Sequence, residues 1–257
     1  MKKTLPGYAS SRKQKLFASW ATLLLLLISF FSFAQADTWQ YTGDNLLANR
    51  SYPVSFSING YGYVGTGRDD KNVFETRVFY KDFWQYEPST HSWTQKAEFP
   101  GYARSEATGF SIGNKGYIGF GGGKDFPLVY NDFYEYDPVA NNWNRIKDFS
   151  NGMLPRTRAA GFSIGGKGYV GTGGISIPVG TIVSTLLNIF TGLSFIDRTI
   201  ISSLVPSTTY LMNDFWEYSP DTKSFRNVSD FGGSKRDGAV GFSIGNKGYV
   251  GMGGGQE

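Results

Sequence analysis

One short motif returns four times along the chain, each time with the same companions. It reads SFSINGYGYVGTG from Ser55, GFSIGNKGYIGFGG from Gly109, GFSIGGKGYVGTGG from Gly161 and GFSIGNKGYVGMGG from Gly241. The motif phenylalanines are Phe56, Phe110, Phe162 and Phe242, and the last interval is longer than the others by an insertion of about 30 residues. Self-similarity at a period of about 50 residues, with several short strands in each unit, is the signature of a propeller array. That constrains the fold far more than the chemistry, because propellers carry many unrelated functions.

The rest of each unit keeps register with its phenylalanine. Asp82 opens DFWQYEP and is followed by Trp93. Asp132 opens DFYEYDP and is followed by Trp143. Asp214, beyond the insertion, opens DFWEYSP and is followed by Phe225. Glycine doublets stand at Gly121-Gly122, Gly173-Gly174 and Gly253-Gly254, with Gly67-Arg68 as the departure in the first unit. A glycine doublet, a tyrosine and then a tryptophan at fixed spacing resembles the kelch repeat. The resemblance runs from Trp39 to the end of the chain, and Phe225 in place of tryptophan is its second departure. It implies a kelch-type β-propeller like those of secreted bacterial kelch-repeat proteins, which are often named galactose oxidase-like.

The local chemistry agrees. Alternation in Val54-Phe56-Ile58 and Tyr61-Tyr63 predicts short strands with one face buried. Asn59-Gly60 and Gly113-Asn114 supply the positive φ that two-residue hairpin turns need. Glu87-Pro88 and Asp137-Pro138 predict the turn between the third and fourth strands. Each unit is then a four-stranded blade that cannot bury both faces alone, and aromatic residues fill the space between blades.

The first 36 residues read as a secretory signal peptide. Lys2, Lys3, Arg12, Lys13 and Lys15 precede an apolar run from Leu16 to Phe33, and Ala34-Gln35-Ala36 is a small-x-small cleavage pattern. Removing them leaves 20 basic against 21 acidic residues, so the formal charge of +4 belongs to the signal and does not point to nucleic acid. The chain has no cysteine, as is ordinary for an exported bacterial protein. The expected location is secreted, periplasmic or cell-surface.

Residues 37–257 are expected to form one kelch-repeat array. Its blades fall at about 52–98, 106–149 and 158–230, with a split partial blade made of 238–257 and 37–46. Three complete blades and a split fourth predict an incomplete ring, either because the sequence is a truncated gene product or because its open edges are available for assembly with another chain or for self-association.

Arg50, Arg104, Arg156 and Arg236 each precede a repeat phenylalanine by the same interval. One reading makes them a basic ring at the mouth, suited to forked hydrogen bonds with carboxylates or sulfates. The other makes them part of the repeat itself, bonded to neighbouring blades. Asp82, Asp132 and Asp214 read as turn-capping groups. The insertion, 175–209, is apolar at helical spacing. It is expected to pack as a lid on its own propeller, or to dock on a partner or a membrane surface.

The copper centre of galactose oxidases uses histidines, tyrosines and a cysteine. Here there is only His91 and no cysteine, which disfavours that chemistry. No phosphate loop, metal-ligand spacing or Ser-His-Asp set is present, and no cofactor is expected. The leading expectation is a non-enzymatic recognition or scaffold module that takes a protein or glycan through one mouth. A carbohydrate-active enzyme of the sugar epimerase kind and a purely structural surface repeat are the alternatives. An enzyme should gather unlike polar groups in the mouth, and the motifs offer mostly repeated ones.

Overall fold

A computed structural model describes residues 49–70, 77–124, 128–146, 152–177 and 208–255. The chain divides into two compact units, Met1–Gly43 and Asp44–Glu257, and everything described belongs to the second. The segment read as a signal peptide, Trp39 with its expected strand, and residues 178–207 of the insertion lie outside the described residues.

Among the described residues all regular structure is β-strand. The first sheet is an antiparallel meander of β1 (Val54–Ile58), β2 (Tyr61–Gly65), β3 (Phe83–Glu87) and β4 (Ser92–Lys96). The second repeats it with β5 (Thr108–Ile112), β6 (Lys115–Gly119), β7 (Phe133–Asp137) and β8 (Asn142–Ile146). The third takes β9 (Ala160–Ile164), β10 (Lys167–Gly171), β13 (Phe215–Ser219) and β14 (Ser224–Val228). Between its second and third strands the insertion begins and ends as a hairpin, β11 (Gly174–Ile177) against β12 (Thr208–Leu211). Two strand pairs follow, β15 (Arg236–Asp237) with β18 (Gly254–Gly255) and β16 (Val240–Ile244) with β17 (Lys247–Gly251).

Register follows the repeat. Phe56 faces Tyr63, Phe110 faces Tyr117, Phe162 faces Tyr169 and Phe242 faces Tyr249, each pair stacked across the hairpin. Asn59 and Gly60 close the first hairpin at φ 51° and 85°, the mirror-image turn that matches strand twist.

Successive sheets stack through their first strands, β1 against β5, β5 against β9, and β9 against β16. The contact is a ring set over two glycines. Phe56 lies over Gly109 and Gly116, Phe110 over Gly161 and Gly168, and Phe162 over Gly241 and Gly248. A Cβ at Gly161 would sit 2.5 Å from the Thr108 methyl group, so these positions are held empty for the neighbour. Outward from the axis, Trp143 fills the next gap. It meets Phe83 and Phe99 edge to face, at 4.9 and 5.3 Å between ring centres, and its indole N–H donates to the Ala97 carbonyl at 2.9 Å. Phe133, Tyr218 and Phe225 do the same work between the second and third sheets.

Candidate functional site at the axis

The first three members of the arginine column lie in the loops that enter the sheets, with their side chains turned inward. Arg104 donates from Nη1 and Nη2 to the two oxygens of Asp132 at 2.5 and 2.9 Å, and from Nη1 to the Phe120 carbonyl at 2.8 Å. Arg156 repeats this with Asp214 and Thr172, and Arg50 with Asp82 and Thr66. The side chains of Arg104 and Arg156 are 0% exposed and that of Arg50 is 5% exposed. Their guanidinium groups also lie over aromatic rings, Tyr80 beneath Arg50 and Tyr130 beneath Arg104. For Arg50, Arg104 and Arg156 each fork faces a carboxylate and a carbonyl of its own repeat, the arrangement of the reading in which these arginines are part of the repeat itself. Asp82, Asp132 and Asp214 are the other half of this device, not turn caps. Burial raises the pKa of Asp214, but the Arg156 hydrogen bonds and charge and the Trp216 indole outweigh it, and the carboxyl titrates below its ordinary range. Arg236 differs from the other three. It reaches the Ser234 and Met252 carbonyls and has no carboxylate partner among the described residues.

A second column, two residues further on, holds what the repeat does not. Tyr52, Glu106, Arg158 and Gly238 occupy equivalent places, with φ of 55°, 59°, 56° and 64°. Their backbones are linked in series. Glu106 N donates to Tyr52 O, Arg158 N to Glu106 O, and Gly238 N to Arg158 O, at 3.2, 2.9 and 3.0 Å. A left-handed conformation costs a residue with a Cβ roughly 1–2 kcal/mol. Glycine serves at 238, yet tyrosine, glutamate and arginine stand at the other three. Backbone conformation repeats here while side-chain chemistry does not, as expected where a scaffold presents a binding surface.

These side chains meet. Glu106 Oε1 accepts from Arg68 Nη1 at 2.9 Å and from Arg158 Nη2 at 3.0 Å. Arg68 also donates to Asp70 at 2.8 Å, and Arg158 reaches Asp237 at 3.4 Å. Tyr52 lies beneath both guanidinium groups, 4.7 Å from Arg68 and 5.3 Å from Arg158. Burial works against charge on both arginines, but the hydrogen bond to Asp70 and the Glu106 carboxylate outweigh it at Arg68, and Glu106 does so at Arg158, keeping both pKa values raised. Arg158 is the more accessible, at 39% exposed against 14% for Arg68.

Two hollows border the cluster, and Glu106 and Arg158 line both. One, of about 420 Å³, adds Arg68, Arg77, Phe79 and Asp237, with Ser176 from the base of the insertion. The other, of about 290 Å³, adds Tyr52 and Pro53. The first hollow brings guanidinium donors, carboxylate acceptors and an aromatic ring within reach of one solute. That mixture suits a polyhydroxylated or carboxylated ligand held by several directed hydrogen bonds. His91 stands apart, in the turn between β3 and β4, hydrogen-bonded to Tyr86. No cluster of three or more His, Cys, Asp or Glu groups able to hold a metal occurs among the described residues.

No family model matches the chain, and no curated protein does. Solved structures do: 148 chains match. One of them, the structure of YjhT, aligns with a TM-score of 0.63 at 18% sequence identity, over 82% of this chain and 60% of YjhT. At that identity the likeness shows the fold alone, and this chain spans about 60% of the length of its solved neighbour. The fold is thus an all-β, propeller-like succession of four-stranded antiparallel sheets.

Proposed function

We propose that this chain is an exported kelch-type propeller module that recognises a glycan, or a similarly polar ligand, through the hollow at its axis. One observation carries the reading. Tyr52, Glu106 and Arg158 occupy one repeated, strained backbone position with three different side chains, and all three converge. Arg158 supplies the accessible cation and Glu106 the acceptor to both hollows, and a sugar face can rest on Phe79 in the larger or Tyr52 in the smaller. The kelch spacing supports the family, and the segment before Ala36 supports export.

A second reading keeps the site and adds turnover. Unlike polar groups gathered at the axis are what a carbohydrate-active enzyme would need, and the column provides them. One experiment separates the two. Neutral and carboxylated sugars are titrated into the exported protein by calorimetry, and each mixture is then followed by proton NMR. Binding that is lost in Arg158→Ala and kept in Lys223→Ala, with unchanged sugar spectra, supports recognition. New sugar signals that depend on Glu106 support the enzyme. Binding unaffected by Arg158→Ala would remove the axis as the site.

A further inference from the structure

The seam between the second and third sheets differs from the seam before it by two side chains. At the first seam Trp143 fills the gap, and Asn141 ties the turn beside it. Asn141 Oδ1 accepts from the Tyr136 hydroxyl at 2.8 Å and from Ala97 N at 3.0 Å. At the second seam Phe225 stands in the place of Trp143, and Lys223 in that of Asn141. Lys223 keeps the left-handed backbone, φ 49° against 47°, but an ammonium only donates. The Tyr218 hydroxyl, equivalent to that of Tyr136, is therefore buried with no partner among the described residues. Leaving a hydroxyl so is costly unless something else answers it.

Tyr218 lines a hollow of about 340 Å³ with Glu135, Asn144, Thr222 and Lys223. That is far more room than one water needs. Thr222 and Lys223 are exposed, whereas Tyr218 is 0% exposed. Burial and the Glu135 charge push the Tyr218 pKa up to about 12, so the hydroxyl keeps its proton and is a donor. Glu135 departs from the repeat as well. Its counterpart Glu217 accepts from Lys167, Tyr169 and Arg226. Glu135 has only the Tyr117 hydroxyl, on Oε2 at 2.9 Å, because Asn144 faces it where Arg226 faces Glu217 and Lys115 pairs with Asp137 instead. Among the described residues nothing donates to Glu135 Oε1.

We infer that this hollow binds a small zwitterion of the α-amino acid type, its carboxylate taken by the Tyr218 hydroxyl and the Lys223 ammonium and its own ammonium by Glu135 Oε1. The class follows from the unfilled groups. Two donors ask for an anionic acceptor, and the free carboxylate oxygen asks for a charged donor. A simple anion would meet Glu135 as a like charge, and a simple cation would meet Lys223 so. No residue of the axial cluster lines this hollow, so it is a second site, separate from the axis.

Calorimetry of the exported protein with L-alanine, L-alaninamide and N-acetyl-L-alanine tests this. Alanine carries both charges, the amide lacks the carboxylate, and the acetyl derivative lacks the ammonium. Alanine should bind, and each derivative should bind roughly tenfold more weakly or worse, the worth of one charge-assisted hydrogen bond. Tyr218→Phe should weaken alanine binding by a similar factor with no loss of thermal stability, since the hydroxyl it removes has no partner to lose. Lys223→Asn should abolish binding while raising the melting temperature, because asparagine returns the acceptor that Tyr136 has in Asn141. A merely structural role for Lys223 would not move binding and stability in opposite directions. Derivatives that bind as tightly as alanine would overturn the proposal, as would alanine binding undiminished in Tyr218→Phe and Lys223→Asn. Failure of alanine to bind at millimolar concentration would overturn it too, and would leave the hydroxyl to water.

Discussion

Arg156 and Asp214 are joined by two parallel hydrogen bonds of 2.7 and 2.8 Å, although 58 positions separate them and the whole insertion lies between. The same fork joins Arg104 to Asp132 and Arg50 to Asp82. Each pair fastens the loop that enters a sheet to the start of that sheet's third strand. The insertion can vary because the chain is pinned on both sides of it.

Arg104→Ala should destabilise the protein by ~3–5 kcal/mol, because it strands the Asp132 carboxylate in a dry setting. Arg104→Lys should recover only part of this, since an ammonium cannot reproduce the fork. Arg236→Ala, whose contacts are exposed, should change stability by less than about 0.5 kcal/mol. Urea midpoints of the three variants test this, and an unchanged midpoint for Arg104→Ala would contradict it.

Gly168→Ala should cost ~1–3 kcal/mol, because its Cβ would overlap the Phe110 ring. Gly62→Ala should be neutral or slightly stabilising for folding, as among the described residues its Cβ meets only Tyr86 at 3.6 Å. Thermal melts of dilute protein would check the contrast, and equal effects at the two glycines would refute the ring-over-glycine account.

Lys223→Asn should stabilise the protein by ~0.5–1.5 kcal/mol. The Tyr136 hydroxyl donates to Asn141 at 2.8 Å, whereas the equivalent Tyr218 hydroxyl is buried without a partner. Asn141 and Lys223 share a left-handed φ of 47° and 49°, which asparagine tolerates better than lysine. A higher urea midpoint with unchanged slope is the expected result.

Stability should fall with acid through Glu217. Hydrogen bonds from Arg226, opposed by burial and reinforced by Lys167 and Tyr169, lower its pKa from 4.5 to about 2. A depressed folded-state value means that this contribution is complete above pH 4.5 and disappears as pH falls toward about 2. The stability difference between the unmodified chain and Glu217→Gln should therefore shrink across that window. Denaturation series from pH 7 to about pH 2 measure it, and a constant difference would rule the ion cluster out.

The strands, hairpin turns and glycine doublets are legible because they repeat. Asn59-Gly60 sits in the left-handed turn that its composition requires, and Gly67, Gly121, Gly173 and Gly253 all have φ between 80° and 96°. The arginine–aspartate fork was half legible. Both columns recur, but their separations of 32, 28 and 58 follow loop length, so no fixed spacing links them. The axial site was not legible, because a search for sameness passes over Tyr52, Glu106, Arg158 and Gly238. The available signal was a departure: Arg68, in place of the second doublet glycine, is the residue that reaches Glu106.

The axial column works as a set of sockets. Its conformation is fixed by main-chain bonds that do not depend on which side chain is mounted there, as glycine at 238 demonstrates. In the proposed recognition role, ligand preference would change by exchange at 52, 106 and 158 while the sheets stay as they are. Grafting other side chains onto these three positions would then redirect binding without refolding the scaffold.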